Sequence, residues 1–233
     1  DKRKYVWKLV YMYMLGYNVE VGHMVAIGMV GSKSIMVKQV GYTACSILFT
    51  EKSELLRLVI QTLKVDLASS NDILQSLALV FIANIGNAEF AEALSIDVQR
   101  LLFHPQTRAI VRKKAALALL RLFRKNPDCI PQEDDFPKRV VALLDDGNIG
   151  VLTAITSLVL GLVSINPAGY EDVVAKATVI LTKVCFADPR NRSVYKYYNT
   201  ICPWLQVKLL RLLQYFPTLS AGLAKENGKV VIS

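Results

Sequence analysis

Apolar residues recur along this chain at three- and four-residue spacing rather than in alternation, as helices with one buried face require. In 52–69, Leu55, Leu58, Val59, Thr62, Leu63 and Leu67 fall on one side and Glu54, Arg57, Gln61 and Lys64 on the other, which predicts an amphipathic helix. The same reading predicts helices over 35–49, 73–85, 89–103, 110–125, 137–144, 149–165, 170–186 and 203–216. Turn-forming residues stand between them: Ser69-Ser70-Asn71, Gly86-Asn87, His104-Pro105, Asn126-Pro127, Asp146-Gly147-Asn148 and Asn166-Pro167. No strand pattern competes.

The helices repeat. Val37-Lys38-Gln39-Val40-Gly41-Tyr42, Ile73-Leu74-Gln75-Ser76-Leu77-Ala78, Val111-Arg112-Lys113-Lys114-Ala115-Ala116 and Ile149-Gly150-Val151-Leu152-Thr153-Ala154 each place an aliphatic residue first and small or apolar residues fifth and sixth. They are 36, 38 and 38 residues apart, and a fifth copy beginning at Leu205 follows after 56. A period in this range with two helices per unit predicts an all-α, HEAT/armadillo-like α-solenoid of antiparallel helix pairs, whose units bury their apolar faces only against neighbours. The longer last interval marks an insertion of about 20 residues. It contains 187–202 (ADPRNRSVYKYYNTIC), basic and aromatic, expected as a loop. After Pro217 the pattern fades, so 1–217 is taken as the solenoid trunk and 218–233 as a divergent or truncated segment.

Composition narrows the class. With 233 residues and 53% hydrophobic content the chain folds as one large domain or two small ones, without need of disulfides. Cys45, Cys129, Cys185 and Cys202 form no CxxC pair, so a zinc site is not expected and no cofactor is implied. Cys45, Cys185 and Cys202 sit in apolar runs and are expected to be buried thiols of a reducing, intracellular setting. Asp1 in place of an initiator Met, with no signal-peptide pattern, reads as a segment of a longer protein. The uncharged stretch 147–170 invites a membrane-spanning reading, but its strongly apolar part, 151–165, is too short, and a buried solenoid helix is expected.

Catalytic sets are missing. His23 and His104 lack a nucleophile or carboxylate at useful spacing, and neither GxGxxG nor GxxxxGK[ST] occurs. Glu133, Asp134 and Asp135 between two prolines read as a solvated loop rather than paired acids. No enzyme is expected. The remaining signal is basic, with 28 Lys plus Arg against 19 Asp plus Glu and a net charge of +9. Lys2, Arg3, Lys4 and Lys8 crowd two helical turns together with Tyr5 and Trp7, and Lys4 and Lys8 share a face. Ammonium groups, a guanidinium and a phenol suit several phosphates at an anionic membrane surface. Arg112, Lys113, Lys114, Arg121, Arg124 and Lys125 are expected to bond between repeats. Arg190, Arg192 and Lys196 with Tyr195, Tyr197 and Tyr198 form a weak pattern for single-stranded nucleic acid. A nuclear-transport-like or nucleic-acid-binding solenoid is thus the competing class, though no nucleic-acid partner is expected.

Several longer segments carry a resemblance: KYVWKLVYMYMLGYNVEVGHM, KQVGYTACSILF, LKVDLASSN, LALVFIANIGNAEFAEAL, VRKKAALALLRLFRKNPD, RVVALLDDGNIGVLTAITSLV and PWLQVKLLRLLQYFP. Together these resemble the trunk of the large adaptin subunits of clathrin adaptor complexes, from about Lys2 to Pro217. The Lys-Arg-Lys-Tyr-Val-x-Lys opening, the tyrosine-rich insertion and Pro203-Trp204-Leu205-Gln206-Val207-Lys208 are most similar to the alpha type, while the gamma type of the Golgi and endosomal adaptor shares the LQVKLLRLL-like and RKKAAL-like segments. The resemblance implies a helical scaffold in a heterotetramer with a second large, a medium and a small subunit. Its implied work is clathrin-mediated endocytosis and vesicle-mediated protein transport at the cytoplasmic face of the plasma membrane, in coated pits. It also implies phosphatidylinositol 4,5-bisphosphate binding through Lys2, Arg3, Lys4, Tyr5 and Lys8; Arg3 replaces the family's usual Lys and keeps the charge. The family's upstream basic residues, and the segment that helps hold acidic dileucine signals, have no match in this sequence. Of Met12, Met14, Met24 and Met29, most are expected in the core and the others at subunit contacts.

Overall fold

A computed structural model describes residues 2–19, 21–130, 135–186, 195–198 and 200–217. Among these residues the helices are α1 (Lys2–Met14), α2 (His23–Val30), α3 (Ile35–Leu48), α4 (Ile60–Ala68), α5 (Asp72–Ile85), α6 (Ala88–Phe103), α7 (Ala109–Lys125), α8 (Phe136–Ala142), α9 (Ile149–Val163), α10 (Val173–Cys185) and α11 (Pro203–Leu213). The five repeated stretches begin on α3, α5, α7, α9 and α11. The chain divides into two units, Asp1–Ile130 and Pro131–Ser233.

In the first unit α3, α5 and α7 pack side by side, and α2, α4 and α6 pair with them to form a second row. Leu63, Leu67, Leu79, Phe81, Ile82, Phe90, Leu94, Leu102, Leu119 and Leu122 fill the space between the rows at under 2% exposure. Each helix thus buries its apolar face against its neighbours, as in an α-solenoid. In the second unit α8 packs on α9, and α11 packs on both α9 and α10. The uncharged stretch of the sequence is α9, where Val151, Ile155, Leu158, Val159 and Val163 are all buried. At 1.5 Å per residue its 15 residues reach about 22 Å, short of a bilayer's hydrocarbon thickness. Among the described residues no helix is long and apolar enough to cross a membrane.

Asparagines start three of these helices. Asn71 Oδ1 accepts from the Ile73 amide at 2.9 Å, Asn87 Oδ1 from Phe90 at 3.0 Å, and Asn148 Oδ1 from Gly150 and Val151 at 2.9 and 3.1 Å. Each cap satisfies first-turn donors that no carbonyl can reach. Replacing Asn148 by Ala is expected to lower stability by about 1 kcal/mol, seen as a shift in a urea unfolding midpoint, whereas Gly should cost only a few tenths.

The predicted helix 52–69 differs in its first half: Glu54–Val59 is a 3-10 helix that runs into α4. Three residues per turn superpose Leu56 and Val59, which are buried, and rotate Leu58 outward to 54% exposure. The predicted position of Leu58 inside is therefore wrong, and Leu56 takes its place. The inserted segment is also not wholly loop. Lys196–Tyr197 (β1) and Thr200–Ile201 (β2) pair antiparallel, with Lys196 opposite Ile201 and Tyr197 opposite Thr200. Residues 187–194 lie outside the described residues, as does 218–233.

Candidate functional site

Two valines hold α1 down. Val6 and Val10, four apart, are 1% and 2% exposed and seat the helix on α3. A third tie is Gly22, the residue before α2. Its φ of +93° suits glycine, and Leu9 Cδ1 lies 2.4 Å from where a β-carbon would stand. The rest of α1 faces outward: Lys2, Arg3, Lys4, Tyr5, Trp7 and Lys8 are all exposed. All five residues singled out from sequence are thus exposed, spread around the first two turns of α1. Lys8 Nζ lies 5.7 Å from the Tyr5 ring centre, a cation–π distance that keeps the ammonium in place without neutralising it.

Charge balance sets this surface apart. The first 50 residues hold six Lys and Arg but only Asp1 and Glu20 as acids. Among the described residues no carboxylate pairs with Lys2, Lys4 or Lys8. Lys2, Lys4 and Lys8, exposed and without a carboxylate partner among the described residues, hold a positive potential that an anion with several phosphates can satisfy.

Several basic residues elsewhere are engaged in hydrogen bonds and ion pairs between parts of the fold. Arg57 pairs with both oxygens of Glu89, Arg108 with Asp72 at 2.7 Å and Lys176 with Asp145 at 2.6 Å. The Arg57 hydrogen bond holds the Glu89 carboxyl below the usual range. Arg121 donates to the Gly86 carbonyl at 3.0 Å and to Glu51 at 2.8 Å, while Lys125 reaches Glu51 at 2.7 Å and lowers its carboxyl pKa. Arg112 donates to the carbonyls of Pro105 and Thr107, bracing the turn before α7. Arg108–Asp72, Arg121–Gly86 and Lys176–Asp145 are 36, 35 and 31 residues apart, near the repeat period, and so tie neighbouring repeats. Of the α7 residues expected to do this, Arg121 and Lys125 do, whereas Arg112 bonds within the turn before its own helix.

Other expectations fare differently. Asp135 precedes α8, while Glu133 and Asp134 lie outside the described residues. Tyr195, Lys196, Tyr197 and Tyr198 are exposed; their companions Arg190 and Arg192 lie outside the described residues. Cys45 and Cys202 are buried, but Cys185 is exposed because it ends α10 on the outer side beside exposed Phe186. Of Met12, Met14, Met24 and Met29, only Met29 is in the core: the other three are 44%, 71% and 61% exposed, since α1 and α2 bury narrow faces around Val6, Val10, Ala26 and Val30.

One group was not visible in the sequence. Lys38 on α3 donates to both oxygens of Asp66 on α4, and the Tyr42 hydroxyl donates to Asp66 Oδ2 at 2.6 Å. The pair has side-chain exposures of 9% and 3%. Burial first, then the adjacent Asp66, push the Tyr42 phenol well above its ordinary range. This cluster joins α3 to α4 and lies in the core rather than at the α1 surface.

Residues 1–226 match the family model described as Adaptin N terminal region. The AP-2 complex subunit alpha-1 of Arabidopsis thaliana is 47% identical over 221 residues, which is 94% of this chain and 21% of that protein. The AP-2 complex subunit alpha-2 of Dictyostelium discoideum is 45% identical over 231 residues, 99% of this chain and 23% of its own length. The AP-2 complex subunit alpha of Schizosaccharomyces pombe is 40% identical over 213 residues, 91% and 24% respectively. The chain therefore spans between a fifth and a quarter of these relatives. A chain from the homology model of the full-length AP-3 complex in an intermediate open conformation superposes with a TM-score of 0.69 at 26% identity, covering 97% of this chain and 37% of that one.

Proposed function

The chain belongs to the adaptin family, and from that premise we propose that it is trunk scaffold of an alpha-type clathrin adaptor large subunit, attached to membrane through α1. In this reading it works in clathrin-mediated endocytosis and vesicle-mediated transport, peripheral to the cytoplasmic face of the plasma membrane in coated pits. Its protein partners are a second large, a medium and a small adaptor subunit, clamped on the broad surfaces that stacked helix pairs offer. The lipid partner is phosphatidylinositol 4,5-bisphosphate, held by Lys2, Arg3, Lys4, Tyr5 and Lys8. The similarity to three alpha subunits of AP-2 complexes favours the alpha type over the gamma type.

One observation carries the lipid assignment: the cations of α1 stand exposed, and Lys2, Lys4 and Lys8 have no acidic partner among the described residues, whereas Arg112 and Arg121 of α7 are engaged. A basic side chain near an anionic bilayer contributes about 1 kcal/mol. Lys2→Ala/Arg3→Ala/Lys4→Ala is thus expected to weaken co-sedimentation with vesicles containing phosphatidylinositol 4,5-bisphosphate by about a hundredfold. Binding of the intact chain should fall as salt is raised, because the attraction is screened. Unchanged binding by the triple variant would remove the lipid assignment and leave the scaffold reading to stand alone.

A further inference from the structure

We propose that Lys208 is an acylation site: its amine, held against Ser157 between α9 and α11 where no carboxylate pairs with it, takes an acyl group from a thioester. The inference is independent of the lipid reading and concerns the second unit alone.

α9 and α11 pack together through two stripes, each apolar but for one residue. Leu205, Lys208, Leu209 and Leu212 follow at three- and four-residue spacing on α11, and the three leucines are at most 1% exposed. Ala154, Ser157, Leu158 and Gly161 repeat that spacing on α9, where Ala154, Leu158 and Gly161 are buried. The two polar positions meet: Lys208 Nζ donates to Ser157 Oγ at 2.7 Å across 51 residues of sequence. Ser157 gives its own proton to the Thr153 carbonyl at 2.8 Å, one turn back in α9. Its oxygen can therefore only accept from Lys208. An uncharged amine bonded to it by one N–H keeps its lone pair free, as a nucleophile requires.

No acid offsets the charge of the protonated form. α9 carries no ionisable residue, α10 brings Lys176, Lys183 and Cys185, and α11 itself adds Arg211. Asp145 is taken by Lys176 at 2.6 Å, and among the described residues no carboxylate pairs with Lys208. Burial therefore pushes the Lys208 ammonium below the ordinary lysine range and raises the share of free amine at neutral pH. Lys114 on α7 is pushed the same way, by burial and then by Lys113, but no hydrogen bond fixes its amine among the described residues.

In the reaction the lone pair attacks the thioester carbonyl. A C–N bond forms, the C–S bond breaks, and the leaving sulfur takes the proton that nitrogen sheds, giving an amide and a thiol. The product is uncharged and keeps one N–H for Ser157, so acylation removes an unpaired cation without breaking a salt bridge.

The intact chain is incubated with N,S-diacetylcysteamine, a small acetyl thioester, and the acetylation rate of Lys208 is read by peptide mass spectrometry, folded and in guanidinium. Lys208 is expected to react several-fold faster in the folded chain at neutral pH, with its rate levelling off at a lower pH than in the unfolded one. Ser157→Asp supplies the missing counter-charge and is expected to slow Lys208 about tenfold at neutral pH, while strongly alkaline medium restores the rate of the unaltered chain. A folded-state rate equal to or below that in guanidinium overturns the inference. So does a Ser157→Asp chain that is folded by circular dichroism and reacts unchanged. Should that variant not fold, the pH profile of the unaltered chain decides alone.

Discussion

Asp66→Ala is expected to destabilise the chain by about 3–5 kcal/mol, since it strands the Lys38 ammonium at 9% side-chain exposure with no counter-charge. The loss is read as a fall in the guanidinium unfolding midpoint. Native domains have only about 5–15 kcal/mol to lose, so this one substitution brings the first unit close to unfolding. Coulomb attraction alone would not make the pair favourable, because withdrawing two charges from water costs several kcal/mol each. What the triad supplies is complete satisfaction: Asp66 accepts from Lys38 on both oxygens and from the Tyr42 hydroxyl. Replacing all three groups by apolar ones of similar size, Lys38→Met/Tyr42→Phe/Asp66→Leu, is therefore expected to recover most of the lost stability. A triple variant as unstable as Asp66→Ala would refute this account and point to a cavity or backbone effect.

Gly41→Ala is expected to cost about 3 kcal/mol, at the upper end of overpacking effects, despite adding one methyl group. A β-carbon at Gly41 on α3 would lie 2.6 Å from the Val30 amide nitrogen, 2.8 Å from the Met29 carbonyl carbon and 3.0 Å from the Ala26 carbonyl oxygen on α2. Those atoms are backbone, so no rotamer change relieves the clash and one helix has to move away. Gly28 is the control: nothing lies within 4 Å of its would-be β-carbon, and it sits inside α2. Gly28→Ala should be neutral or stabilise by up to about 1 kcal/mol, as alanine favours helix. Because α1 packs on α3, Gly41→Ala is also expected to loosen the cationic surface, seen as faster proteolysis near residue 16 while the second unit stays protected.

Much of the fold was legible because burial follows helical period wherever the backbone is regular. Val37, Ile73, Val111, Ile149 and Leu205 each stand within three residues of a helix start, at α3, α5, α7, α9 and α11, and within the first unit that repeat gives the two-row stack. Where the backbone changes period the reading slipped, as at Leu58, since nothing in Glu54–Val59 distinguishes three residues per turn from 3.6. The Lys38–Asp66 pair was illegible for a different reason. A charge beside Val65 and Leu67 or beside Val37 looks like a solvent position, and only the packing of α3 on α4 brings the two within bonding distance. The cationic surface could be read directly because a dense group of charges has no place in a core. Exposed Tyr11, Met14 and Leu15 could not, since apolar side chains are assigned inward by default, while α1 buries only the narrow face of Val6 and Val10.

The contacts of Glu51 join three repeats at one rim of the first unit. Its side chain takes Arg121 and Lys125 from 70 and 74 residues further along, its own carbonyl accepts from Asn87, and Arg121 also holds Gly86. The ends of α3, α5 and α7 are sewn there like the binding of a book, while the other bonds across the stack reach a single neighbour. Thermal flexing of the Asp1–Ile130 stack would thus fan the free margins apart before the bound one. Severing that stitch, more than trimming any single helix, would change how stiffly the array bends.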